Sequence, residues 1–196
     1  MDTIKEERIL FRKFFVEGVR YDEIAKSLGM TRKVISEKYP LIKTKYFEEY
    51  DIVRRLKNNV YHPKKRKFGK EFKFASFPSF YDWWMKQGKV CFYCETEEYK
   101  IRELVEAGRN RNPNGIYSSQ MMNRGRYLEL ERFNSVEGHN EYSEGNCLLA
   151  CYFCNNDKSN VISGDDYTKY FKDTGALVHR KNYINKKYEL LKLSDK

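Results

Sequence analysis

At 196 residues the chain suits one or two small domains, and it holds no run of about 18 apolar residues that would span a membrane. Charged residues make up 34% of it, the formal net charge is +10, and 16 Tyr and 13 Phe accompany the lysines. That balance suits a compact protein that binds a polyanion, with nucleic acid the commonest partner and an acidic membrane surface the second. The N-terminus, MDTIKEERIL, carries acids where a secretory signal needs an apolar core. The expected setting is therefore the reducing interior of the cell, the cytoplasm, where paired cysteines read as metal ligands and not as disulfides.

Residues 4–39 read as helices. Leu10, Phe11, Phe14 and Phe15 recur at helical spacing, with Gly18 just beyond. Ile24 and Ala25 face a core, Leu28-Gly29-Met30 makes a turn, and Thr31 is a good N-cap for a helix whose apolar face is Val34 and Ile35. Pro40 is expected to stop that helix. Two short helices around a glycine turn resemble the DNA-binding helix-turn-helix family, which implies that Arg32, Lys33 and Lys38 project toward DNA. An ordinary helical hairpin with a solvated basic face has the same pattern.

Residues 51–77 read as a basic connector between this helical region (1–50) and the C-terminal part of the chain. Lys64, Lys65, Arg66 and Lys67 form its centre, and they suit a tracker of phosphates whose binding weakens steeply with salt. Phe72, Phe74 and Phe77 suit a short strand or an extended packing segment. SFYDWWMKQGK reads as a helix with Trp83, Trp84 and Met85 at its heart. Residues 97–107 read as another helix, and 108–126 as a polar, basic loop. After Ser163 two helices are expected, near 164–172 and 180–192, carrying Lys172, Arg180, Lys181, Lys186 and Lys187 for packing and general basicity.

Four of the five cysteines form two C-x-x-C pairs, Cys91/Cys94 in KVCFYCET and Cys151/Cys154 in LLACYFCNN. Four thiolates are the tetrahedral set that structural zinc prefers, and they close the shell against a catalytic water. Any chemistry must lie elsewhere. Cys147 is the spare, expected as a buried thiol in the strand NCLLA.

Between the pairs, YLELERF alternates like a strand. A polar turn comes next, then the strand of residues 146–150 and a helix opening at the second cysteine pair. Strand, strand and helix make a ββα unit. Leu130-Glu131-Arg132-Phe133, Gly145-Asn146, Cys151-x-x-Cys154-Asn155 and Lys158 resemble the HNH nucleases of the His-Me finger (ββα-metal) superfamily, over about residues 88–162. The resemblance implies that Glu131 and Asn155 hold a catalytic divalent cation, Mg²⁺ or Mn²⁺, in an all-oxygen shell. It further implies that Asn146 braces the hairpin and that Lys158 contacts phosphate or the adjoining loop. Glu129 and Asp157 are alternates for the metal shell. Arg132 departs from the pattern, because the family usually places a histidine there as general base and a guanidinium cannot accept a proton. His139, in the turn EGHNEYS, is the substitute base to test.

The expectation is an α+β protein. A helix-turn-helix region at 1–50 and the connector 51–77 bind double-stranded DNA. A zinc-stapled HNH domain at 78–165 cleaves it, and a helical extension at 166–196 completes the chain. Site-specific cleavage of the restriction, homing or phage type is expected, with a homodimer if both strands are cut. The rivals are a non-catalytic zinc-containing regulator and a nuclease selective for junctions or RNA.

Overall fold

The computed structural model describes residues 3–111, 125–136 and 140–194, with side chains described except at 108–111 and 194. The chain is α+β and mostly helical, and its one described sheet has two strands. It divides into two compact units, residues 1–85 and 86–196. No described helix is long and apolar enough to cross a membrane.

The first unit is built from aromatic and aliphatic side chains placed at helical spacing. Helix α1 (Thr3–Phe11) runs into a π-helical turn (Arg12–Glu17) that ends at Gly18. Leu10, Phe11, Phe14, Phe15 and Val16 are all buried. Helix α2 (Tyr21–Leu28) ends on Gly29 at φ 65°, the left-handed conformation that glycine adopts without strain. Helix α3 (Arg32–Lys45) starts at Thr31, whose hydroxyl accepts from the Val34 N–H at 3.3 Å. Ile35 is fully buried, whereas Val34 stands exposed and does not share that face.

Pro40 does not stop α3. The helix continues through it to Lys45. An interior proline removes one backbone hydrogen bond and costs about 3 kcal/mol. Burial of Ile35 before it and of Ile42 after it offsets that cost. The break comes instead at Tyr46, and α4 (Phe47–Arg55) begins directly after it.

Residues 51–77 are not a free connector, since they belong to this first unit. Helix α4, a π-helical turn (Leu56–Tyr61) and α5 (His62–Phe68) succeed one another, and Val53, Leu56 and Tyr61 dip into the core. Helix α5 buries nothing. Lys65, Arg66 and Lys67 are exposed on it and Lys64 is half-buried. Phe72 and Phe74 form an extended packing segment, and α6 (Phe77–Lys86) closes the unit. The rings of Phe74, Phe80 and Trp83 pack together at centroid distances of 5.0–6.1 Å, with Phe74 edge-on to Phe80. Trp84 is fully buried, but Met85 is exposed and is no part of this core.

In the second unit the knuckle at Cys91 is followed by α7 (Glu98–Arg111), so the helix runs into the stretch expected to be a loop. The rest of that expectation, at 112–124, lies outside the described residues. Strands β1 (Glu129–Arg132) and β2 (Cys147–Ala150) pair antiparallel, with Glu129 opposite Ala150 and Arg132 opposite Cys147. Helix α8 (Tyr152–Lys158), α9 (Gly164–Asp173) and α10 (Ala176–Ser194) complete it. Cys147 is half-buried, less enclosed than its strand position suggested.

Gly164 sits against the face of Phe133, and a Cβ there would overlap the ring. Gly164→Ala is expected to destabilise the protein by about 1–3 kcal/mol through overpacking. Chemical denaturation checks this, and Phe133→Leu in the same chain should recover part of the loss.

Candidate metal centre and ββα site

Cys91, Cys94, Cys151 and Cys154 are all buried, and their four sulfurs lie within 4.8 Å of one another. Cys94 and Cys151 Sγ are 3.8 Å apart. A tetrahedron with Zn–S bonds of about 2.3 Å has edges of about 3.8 Å, so the spacing fits zinc. Local hydrogen bonds set the first knuckle. The Cys91 N–H donates to the Thr96 carbonyl at 2.9 Å, and the Glu95 N–H donates to Cys91 O at 2.9 Å. The Phe92 N–H reaches Leu149 O on β2, also at 2.9 Å, which seats the first knuckle beside the second. The second opens α8, with Cys151 Sγ as its N-cap.

Hydrogen bonds from Cys151 and then Cys154 hold the Cys94 thiol far below its ordinary range, whereas those with Cys154 and then Cys91 push Cys151 far above. Four buried sulfurs cannot all be anionic without a cation among them. That is the electrostatic reason to read the cluster as a metal centre, one that could hold a metal such as zinc.

The ββα elements place the remaining residues. Alternation along β1 puts Glu129 and Glu131 on one face, and spacing on α8 puts Asn155 and Lys158 on another. The two rows meet. Asn155 Nδ2 donates to Glu129 Oε2 at 2.6 Å, and Lys158 Nζ donates to Glu131 Oε1 at 2.9 Å. Asn155 thus pairs with Glu129, the acid one pleat before the expected Glu131. Lys158 is fully buried and also reaches Ser135 Oγ at 3.0 Å and Ser159 O at 3.3 Å. The assignment of Lys158 to phosphate therefore needs correcting, because a side chain with no solvent exposure offers a phosphate no approach. Ser159 holds φ 55° and ψ −153°, a strained conformation for a residue with a side chain, at the point where its carbonyl meets that ammonium.

Asn146 fastens the hairpin. Its Oδ1 accepts from the Asn134 N–H at 2.9 Å, and its Nδ2 donates to Asn134 O at 2.8 Å and Glu141 O at 2.9 Å. Arg132 is buried over the Tyr142 ring. It donates to Asn140 O and Oδ1 and to Asn160 Oδ1. Its guanidinium is spent on joining the turn to the segment after α8. Asp157, the other alternate ligand, is engaged by Arg180 at 2.9 Å and by the Tyr167 hydroxyl at 3.0 Å. His139 lies outside the described residues.

Tyr93 sits in the first knuckle with its hydroxyl buried and no hydrogen-bond partner among the described residues. Burial, and next the Glu131 charge, push that hydroxyl well above its usual range. In the first unit, Arg32 pairs with Asp22 at 3.3 Å, Lys38 with Glu6 at 2.9 Å, and Lys33 is exposed. Lys38 is thus turned onto α1 and does not stand clear for DNA.

These contacts bear on which oxygens could face a hard divalent ion. Glu131 already faces an ammonium, so a dication beside it would be placed against the Lys158 charge. Glu129 and Asn155 are both half-buried and adjoin one another. A half-turn of the Asn155 amide exchanges its nitrogen for its oxygen, and carboxylate plus amide oxygen is a donor set suited to Mg²⁺ or Mn²⁺. Sequence reasoning did not foresee the Glu129–Asn155 contact, because alternation names a face and not the rung that meets the helix. Arg180 went unassigned, since nothing local to it points to the knuckle. Compared with known protein families, curated proteins and solved structures, the chain finds no match in any of the three.

Proposed function

We propose that the second unit is a zinc-stapled ββα finger of the HNH type that hydrolyses phosphodiester bonds in double-stranded DNA, at chosen sites. The observation that carries this reading is the Glu129–Asn155 pair, which joins β1 to the residue immediately after the second cysteine knuckle, beside a hairpin turn braced by Asn146. Glu129 and Asn155 would hold the divalent ion, which when bound supplies Lewis-acid stabilisation of the charge on the reacting phosphate. The buried Glu131–Lys158 pair and Arg132 fix the strand, the helix and the loop around that point. His139 is the group to take the proton of the attacking water. The exposed Lys65, Arg66 and Lys67 on α5, with half-buried Lys64 and with Arg32 and Lys33 at the start of α3, would hold the DNA backbone or read its grooves.

A second reading has its own support. Arg132 is buried and locked in a position that the resemblance gives to a base, which suits a non-catalytic DNA-binding regulator that keeps the finger for its fold.

Supercoiled plasmid and a phage genome, incubated with Mg²⁺ or Mn²⁺ and with the divalent ion simply left out, separate the two. The zinc then stays in place. Discrete metal-dependent fragments are expected, with Glu129→Ala and Asn155→Ala each slowing cleavage by about 100-fold or more. His139→Ala should slow it by about 100-fold as well, the scale of a general base. Cleavage that tracks branched DNA or RNA would move the substrate to junctions or RNA. No cleavage, with salt-sensitive DNA binding unchanged in all three variants, would leave the regulator.

A further inference from the structure

Apart from the other thiols, each of the four sulfurs meets one hydrogen-bonding group among the described residues. Cys91 Sγ accepts from the Cys151 N–H at 3.2 Å, and Cys151 Sγ accepts from the Cys154 N–H at 3.4 Å. Cys94 Sγ faces the buried Thr96 hydroxyl at 3.2 Å. Cys154 Sγ accepts from Arg180 Nη1 at 3.2 Å. The first three groups are neutral and belong to the knuckles themselves. The fourth is a cation delivered from α10.

A dication held by four thiolates keeps two net negative charges in a site closed to water. Outer groups that donate to the ligands set how tightly such a site holds its metal. A charge-assisted donor is about twice as strong as a neutral one. The Arg180 fork is also fixed in advance. Its Nη2 donates to Asp157 Oδ2 at 2.9 Å, its Nη1 to the Tyr167 hydroxyl at 3.0 Å, and that hydroxyl donates to the same Asp157 oxygen. The next residue, Lys181, reaches Glu95 Oε2 at 2.8 Å, directly after Cys94. Consecutive residues of α10 thus grip both knuckles.

We propose that Arg180 is a positioning residue of the metal centre, whose guanidinium offsets the charge on the Cys154 thiolate and makes the seating of α10 a condition of metal retention. The inference rests on the metal reading of the cysteine cluster and is independent of the nuclease reading.

The test uses the full-length protein loaded with zinc, and in parallel with Co²⁺. Zinc release to a chromophoric chelator is timed for wild type, Arg180→Met, Arg180→Lys and Lys192→Met. Lys192 pairs with Glu103, so Lys192→Met frees α10 at a point away from the knuckles. Arg180→Met is expected to release zinc at least about tenfold faster. It should also move the sulfur-to-cobalt charge-transfer band to lower energy, because a thiolate without its donor gives up electron density more readily. Arg180→Lys should fall between, and Lys192→Met should match wild type. Unchanged release and band position in Arg180→Met would overturn the proposal. Equal acceleration in Arg180→Met and Lys192→Met with no band shift would overturn it too, and would assign α10 to general packing. A wild-type chain that takes up neither metal would overturn it together with the metal reading, whatever the cleavage assay gives.

Discussion

Replacing Cys151 with serine is expected to leave the second unit without metal and without a stable fold. Cys151 does two things at once: its sulfur belongs to the buried cluster, and the same sulfur caps α8 by accepting from the Cys154 N–H. The second unit also buries apolar side chains, Ile101, Leu130, Leu149 and Ile184 among them. Structural zinc in comparable small folds contributes on the order of 10 kcal/mol at neutral pH, more than the whole stability of many domains. Elemental analysis of wild type should give one zinc per chain, and the Cys151→Ser protein should give a value near zero. Limited proteolysis should then cut within 86–196 first and leave 1–85 protected. A Cys151→Ser protein that kept its metal and its resistance to protease would refute the structural role of the cluster.

The second large effect is expected at Lys158. Its ammonium is wholly enclosed, with the Glu131 carboxylate at 2.9 Å and nearly as enclosed. Removing one partner of such a pair strands the other charge in a medium that solvates it poorly, which costs about 3–5 kcal/mol. Lys158→Met should therefore lower the denaturation midpoint sharply. Replacing both charges with apolar groups is often close to neutral, so Lys158→Met with Glu131→Leu should recover most of that loss. The double variant also separates the two acids of β1. If Glu129 and Asn155 hold the divalent ion, cleavage persists in the double variant. If Glu131 holds it, cleavage disappears while the fold stays intact.

The cysteine spacing, the two strands and the helices of residues 4–39 were legible because each is a short-range pattern. A C-x-x-C pair, a period of two and a period near 3.6 each fit in a few residues. The helical character of 51–77 was not legible. Over residues 51–68 the buried residues are Val53, Leu56 and Tyr61, and the last two are five apart because a π-helical turn inserts an extra residue. That spacing breaks the template and left the basic residues as the dominant signal. Pro40 misled for a related reason, since a local rule was overridden by Ile35 and Ile42 docking on either side of it. In the site, the sequence placed Glu129 and Glu131 on a strand and Asn155 and Lys158 on the helix after the second cysteine pair. Which acid meets which helix residue depends on how α8 lies across β1, a relation between elements that no local pattern carries. Arg180 is the extreme case, as its role exists only once α10 has folded back onto the knuckle.

The chain has two tryptophans, and both lie on α6 in the aromatic core of the first unit. Emission excited at the red edge of the indole band therefore reports directly on residues 1–85. The cysteine cluster has tyrosines around it instead, Tyr93 and Tyr167, whose rings meet at 4.9 Å. A melting curve recorded by tryptophan alone would thus describe one half of the molecule, and loss of metal from the other half would have to be monitored through tyrosine or the metal itself.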